Sequence, residues 1–221
     1  YERGMKDARS SAGGLTGLFE KVCSAASTVG KGIFTVAANV AKVSVAATTA
    51  GEAAVSALTT LAVNSYADYE QLVGGVETLY KDSAAKVQQY AADAYKTSGM
   101  TANAYMTTAT SYAAALVSSL GGDTERAAEL SNMAVSDMTD NWNKFGSSAD
   151  SVQAAYNGFA KGQFQLLDNL KLGYGGTKEE MERLLDDANK LNAAQGKYTD
   201  YSIDSFSDII LAIHDIQTEY D

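Results

Sequence analysis

Residues 15–66 show apolar positions at helical spacing and carry very few charges. Between Val22 and Ala67 the only charged residues are Lys31, Lys42 and Glu52. The apolar positions are separated by alternating steps of three and four as far as Ala54, as in a heptad pattern, and then by four and three. These positions are Ile33, Val36, Val40, Val43, Ala47, Ala50, Ala54, Leu58 and Leu61. The pattern predicts a long helical region with a thin valine and alanine seam, which partner helices can approach closely.

Two interpretations of this region remain open. In the first, the helix is buried within its own domain or within an oligomer such as a coiled coil. In the second, the helix acts on a membrane, since the stretch is long enough to span a bilayer. Lys42, near the helix centre, weighs against a lone span, because a buried lysine costs about 2.5–3.5 kcal/mol on insertion.

From Tyr66 onward the pattern changes to short amphipathic helices separated by glycine and polar residues. Asp82 precedes the first of them and Asp123 is placed to cap the third. The predicted inner faces are Val87, Tyr90, Ala91 and Ala94; Tyr105, Ala109, Tyr112, Leu116 and Leu120; Leu130, Ala134, Met138 and Trp142; Val152, Tyr156 and Phe159; Leu166, Leu167 and Leu170; Met181, Leu184, Leu185, Ala188 and Leu191; and Phe206, Ile209, Ile210, Ile213 and Ile216. We therefore predict an all-α protein: a long Ala/Val-rich helical region over 1–65, then a multi-helix bundle of six or seven short amphipathic helices over 66–221.

The clearest helix boundary lies at residues 173–180. Gly173, Gly175 and Gly176 form a loop, and Thr177 and Glu180 have the spacing of a capping box. We expect Gly175 or Gly176 to adopt a positive φ in this turn. The stretch superficially resembles a phosphate loop, but a phosphate loop requires Gly-Lys-Ser/Thr after a strand. The pattern favours a turn between two helices.

Composition supports the helical interpretation and narrows the function. The chain of 221 residues has no proline, where average usage predicts about 11, and proline breaks helix interiors. Residues 1–66 have a formal charge of +2 and residues 67–221 one of −12. An acidic body argues against non-specific nucleic-acid binding, which requires cations to displace phosphate counterions, and we expect no specific nucleic-acid binding. Cys23 is the only cysteine, so no internal disulfide is available. Because the chain begins at Tyr1 without methionine, we expect it to be part of a longer polypeptide.

Candidate chemistry is sparse. His214 is the only histidine and lies beside the apolar stripe of the last helix, where a structural role is expected. An acidic run at the front of one helix suits the helix dipole and solvent better than acid–base catalysis; it comprises Glu179, Glu180, Glu182, Asp186 and Asp187. We predict no catalytic residue, no metal site and no cofactor, and therefore no enzyme.

Four stretches, in the same order, resemble the core of phage tail tape measure proteins. They are YADYEQLVGGVETLYKD (66–82) and the stretches 94–146, 151–191 and 206–221. The residues that carry the core motif are Tyr69, Glu70, Gln71, Leu72, Gly74, Gly75, Glu77, Thr78 and Leu79. The resemblance covers nearly everything after Tyr66, whereas residues 1–65 resemble only the variable Ala/Gly-rich region that precedes this core.

The resemblance implies a structural role in a phage or prophage tail. Members of this family lie in the lumen of the tail tube, set its length during assembly and assist genome delivery across the host envelope. The implied partners are further copies of the chain, as a trimer, together with tail tube proteins, tail tip proteins and tail assembly chaperones. Contact with the host membrane is also implied. The implied locations are the virion, the host cytoplasm during assembly and the host envelope on ejection.

Two other classes remain as alternatives. One is a secreted helical interaction module of the Trp-x-Gly type, against which the Asn-Lys pair after Trp142 counts. The other is a membrane-permeabilising helical protein, a role that is compatible with a tape measure.

Overall fold

The computed structural model describes residues 67–219, and these residues form one compact helical unit. Residues 67–80 are helical and are called the motif helix below. A 3-10 turn, Lys81–Ser83, follows and contains a positive φ of 49° at Lys81. Six α-helices come next within the described range: α1 (Ala84–Thr97), α2 (Ala102–Ser119), α3 (Thr124–Phe145), α4 (Ala149–Phe159), α5 (Lys178–Ala194) and α6 (Phe206–Glu219).

Residues 67–219 contain no β-strand, so the predicted all-α class and the bundle of short helices are confirmed. The predicted N-terminal helical region, with its seam and its membrane interpretation, lies outside the described residues. One predicted helix differs from expectation. Leu167–Leu170 form a single turn of 3-10 helix, and Leu166 before it remains 37% exposed.

Short polar side chains start most of the helices. The side chains of Thr101, Asp123, Ser148 and Thr177 each accept a hydrogen bond from the backbone N–H three residues on. Such caps satisfy N–H groups that have no partner inside the helix. At the other end of α3, Gly146 has a φ of 67° and closes the helix in the left-handed conformation. The helix boundaries therefore follow from local chemistry.

The longest helix, α3, is the centre of the bundle. It contacts α1, α2, α4 and α6, while α5 packs mainly against α6. The predicted apolar stripes supply most of the core, although Tyr90, Leu120, Trp142 and Leu191 are only half-buried. Small residues let helices approach closely within this core; they include Ala91, Ala94, Ala109, Ala113, Ala127, Ala128, Ala134 and Ala188.

Candidate functional site

The motif helix exposes most of the residues that carry the resemblance. Five of the nine motif residues are exposed, namely Glu70, Gln71, Gly74, Glu77 and Thr78. The other four are half-buried, namely Tyr69, Leu72, Gly75 and Leu79. The two positions of this helix that are fully buried are Val76 and Tyr80, which sequence reasoning did not single out. The motif helix is therefore anchored near its end and presents most of its motif side chains to solvent.

Tyr80 anchors the motif helix to two other helices. Its hydroxyl donates to the carbonyl oxygen of Ala109 in α2 at 3.0 Å and shares a hydrogen bond of 2.6 Å with Oγ of Ser131 in α3. Burial raises the pKa of Tyr80 to about 12. Because a buried hydroxyl needs a partner, the positions of Ala109 and Ser131 fix where the motif helix docks.

A groove of about 410 Å³ separates the motif helix from α2. One wall is formed by Asp68, Gln71, Leu72 and Gly75, and the other by Asn103, Ala104, Thr107 and Thr110. A Cβ added at Gly74 or Gly75 would meet no atom within 4 Å among the described residues. The walls offer amides, hydroxyls and one carboxylate, so the groove has hydrogen-bonding capacity but no set of side chains suited to nucleophilic or acid–base catalysis.

The turn at 173–180 combines a helix cap with a fixed loop. Oγ1 of Thr177 accepts from the N–H of Glu180 at 3.2 Å, and α5 begins at the next residue, Lys178. The Glu180 carboxylate does not return to Thr177 as in a capping box. It accepts from the N–H of Gly175 at 3.0 Å and from the guanidinium of Arg183 at 2.5 Å. This arrangement lowers the pKa of Glu180, chiefly through Arg183.

The expectation of a positive φ at Gly175 or Gly176 is wrong. The left-handed glycine of this turn is Gly173, with a φ of 85°. Gly176 meets a different requirement, because a Cβ there would collide with the backbone carbonyl of Gln165. The sequence could not reveal this contact, since Gln165 comes from the preceding connection.

Some residues of the acidic run at the front of α5 form contacts with the same turn. The guanidinium of Arg183 lies 4.5 Å from the ring centroid of Tyr174 and donates to the carbonyl oxygen of Gly173 at 3.0 Å. The Tyr174 hydroxyl donates to Asp187 at 3.1 Å, and Lys178 pairs with Glu182 at 3.4 Å. These contacts give the run a role in holding the turn against α5.

A buried carboxylate and the only histidine of the sequence meet between α3 and α6. Nδ1 of His214 lies 2.9 and 3.1 Å from the two carboxylate oxygens of Asp137. The Asp137 side chain is 7% exposed and that of His214 33%. Burial raises the pKa of the Asp137 carboxyl above its ordinary value, and His214 opposes that rise. The pair therefore places a partly solvated imidazole over a desolvated acid.

Amides extend this contact into a polar cluster of Asp137, Asn141, His214 and Gln217. Nε2 of Gln217 donates to the backbone carbonyl of Asp137 at 2.7 Å. Nδ2 of Asn141 donates to Oε1 of Gln217 at 3.3 Å and to the carbonyl of Leu170 at 2.9 Å. Asp215, which follows His214 in α6, accepts a hydrogen bond from Asn192 of α5 at 2.5 Å and another from the hydroxyl of Tyr201 at 2.8 Å. Polar side chains thus hold α6 against both α3 and α5.

A weak sequence signal for this cluster exists. Asp137 and Asn141 are four residues apart and lie beside the apolar stripe of α3, so helical spacing puts both near the buried face. Sequence reasoning placed His214 in a structural role, but its partner is 77 residues away and could not be identified.

Within residues 67–219, no group of three or more His, Cys, Asp or Glu side chains is arranged to hold a metal ion. No helix in the same range is long and apolar enough to cross a membrane. Comparison of the chain with protein-family models, with curated proteins and with solved structures gives no match.

Proposed function

We propose that this chain is a segment of a phage or prophage tape measure protein, in which residues 66–221 are the helical core. The observation that carries the proposal is the ordered resemblance of four stretches to that family over almost the whole of this range. The all-α fold is compatible with it, because an α-helix converts residues into length at a fixed rate of about 1.5 Å per residue.

The positions of the four stretches on the fold support treating them as one unit. The first contains the motif helix, the second runs from the end of α1 to the C-cap of α3, and the fourth contains α6. The third extends from α4 nearly to the end of α5. Of the segments left out, 147–150 and 192–205 consist mostly of helix ends and connections. The remaining segment, 83–93, covers most of α1, so the resemblance follows the structural elements outside α1.

The proposed protein occupies the tail tube lumen, self-associates as a trimer, and contacts tail tube proteins, tail tip proteins and assembly chaperones. It helps the genome to cross the host envelope. The exposed motif side chains on the motif helix leave that surface accessible to such partners. The proposal assigns no catalytic residue and no cofactor.

Tail length provides the decisive test. Deleting residues 33–60 removes 28 residues, or four heptads, and leaves residues 66–221 intact. If the segment is stretched as helix along the tube, assembled tails shorten by about 42 Å. Electron microscopy of phage carrying the deletion measures this length, with the parental phage as control. Assembled tails of unchanged length would show that this segment does not measure the tube.

A further inference from the structure

We propose that the Asp137–His214 pair is a pH-sensitive latch that holds α6 against α3 more tightly in mildly acidic than in alkaline solution. This inference concerns the bundle itself and does not depend on the tape measure proposal. It rests on the position of the pair. A buried carboxylate of the central helix faces an imidazole of the last helix at 2.9 Å, and one third of the imidazole is open to solvent.

The difference in solvent exposure between the two side chains makes the pair sensitive to pH. Because the histidine side chain is 33% exposed, it exchanges protons with solvent while the bundle stays folded. Histidine changes charge between about pH 5 and 8. In its protonated form it places a cation against the Asp137 carboxylate, whereas in its neutral form it offers only an N–H donor. A charged partner strengthens a hydrogen bond to a carboxylate, so protonation of His214 tightens the contact between α3 and α6.

The charged groups that face Asp137 act in the same direction. Asp140 of α3 and Asp215 of α6 both disfavour a second negative charge nearby. The nearby Tyr112 of α2 and Tyr156 of α4 stay neutral, because burial raises their pKa well above the ordinary value. In alkaline solution the Asp137 carboxylate is therefore desolvated, has lost a cationic partner and lies among acidic neighbours. Each of these conditions weakens the docking of α6.

The sign follows from the charges of the pair. Burial raises the pKa of the Asp137 carboxyl, and His214 opposes this rise because its cation favours the ionised carboxylate. The ion pair requires a protonated His214 and an ionised Asp137, so it is lost when the imidazole releases its proton as pH rises. The contact between α3 and α6 is therefore tighter in mildly acidic than in alkaline solution.

The latch keeps α6 in register through contacts that do not titrate. Gln217 donates to the backbone of Asp137, and Asn141 donates to Gln217. These bonds and the apolar stripe of α6 preserve the docked geometry at every pH. The pair therefore changes how often α6 opens, and not where it docks.

Nuclear magnetic resonance of the full chain tests the proposal directly. His214 is the only histidine, so its imidazole signal is unambiguous. In Asp137→Asn the titration midpoint of this signal should move to lower pH than in the wild type. Asp140→Asn is the matched control, because it removes the same charge from an exposed position of the same helix. It should shift the midpoint less. Equal midpoints in the wild type and Asp137→Asn would overturn the latch.

Hydrogen exchange measures the consequence for α6. After correction for the intrinsic pH dependence of exchange, protection of the α6 amides should fall about two- to fivefold from pH 5.5 to 8.5, as expected for a partly exposed ion pair. His214→Gln keeps an amide N–H donor and removes the titration, so its α6 protection should not follow this trend. If Asp137→Asn does not fold, this variant carries the test. A wild-type α6 whose protection is independent of pH would contradict the proposal.

Discussion

Gly176 lies directly against the backbone of Gln165, so closely that any β-carbon at position 176 would collide with the Gln165 carbonyl. The contact joins the turn before α5 to the connection after α4. A backbone oxygen cannot move aside as the end of a flexible side chain can, so a β-carbon at this position forces the backbone to shift.

Replacing Gly176 with alanine should therefore destabilise the bundle by about 1–3 kcal/mol, the usual cost of overpacking. Gly175→Ala is the matched control, because its added Cβ would lie 3.5 Å from Cγ of Glu180, an ordinary contact. Denaturant unfolding measures the stability of both variants, provided that the m-value is unchanged. Equal midpoints for the two variants would mean that the backbone of Gln165 does not approach Gly176.

Thr177→Ala should cost about 0.5–2 kcal/mol, because it leaves the N–H of Glu180 without its side-chain acceptor. Thr177→Ser retains the acceptor oxygen and should stay close to the wild type. Thermal or denaturant unfolding compares the three proteins. If alanine and serine behave alike, α5 does not depend on this cap.

Tyr80→Phe should destabilise the fold by about 1–2 kcal/mol, since the buried carbonyl of Ala109 loses a donor and Ser131 loses its partner. The aromatic ring is retained, so packing is unchanged. Tyr95→Phe removes a hydroxyl from a side chain that is 77% exposed and should be neutral. Similar unfolding midpoints for the two variants would show that Tyr80 does not anchor the motif helix through its hydroxyl.

Tyr80 should also make the stability of the fold depend on pH in alkaline solution. Its pKa is raised to about 12 in the folded protein, against about 10 for an unfolded chain. Its stabilising contribution is therefore complete below pH 10 and is lost as pH rises toward 12. Because Tyr80→Phe cannot ionise, the stability difference between wild type and variant should shrink from pH 9 to pH 11. A difference that stays constant over this range would mean that Tyr80 ionises as readily when folded.

Most of the bundle follows from local sequence signals. Asp123 is placed to cap α3 and does so, and the stripe of Ile209, Ile210, Ile213 and Ile216 is buried as helical spacing predicts. Such features depend on neighbours a few residues apart. The pairing of Asp137 with His214 depends on how α6 docks on α3, and the constraint on Gly176 depends on the path of a separate connection. Helical periodicity specifies which face is buried, but not which polar residue on one helix meets which residue on another.

The polar connection between α5 and α6 has a consequence for limited proteolysis. Residues 195–205 lie outside the α-helices, and Tyr198 within them is 92% exposed. Among residues 67–219, a protease that cleaves after aromatic residues should cut here first, because it needs an extended and accessible backbone. The released C-terminal fragment would still carry α6, which packs against α5, α3 and α2. The nicked protein should therefore run as a single species on a size-exclusion column, and its two fragments should separate only in denaturant. By the same reasoning, a separate peptide that contains α6 should bind to a chain that lacks this helix.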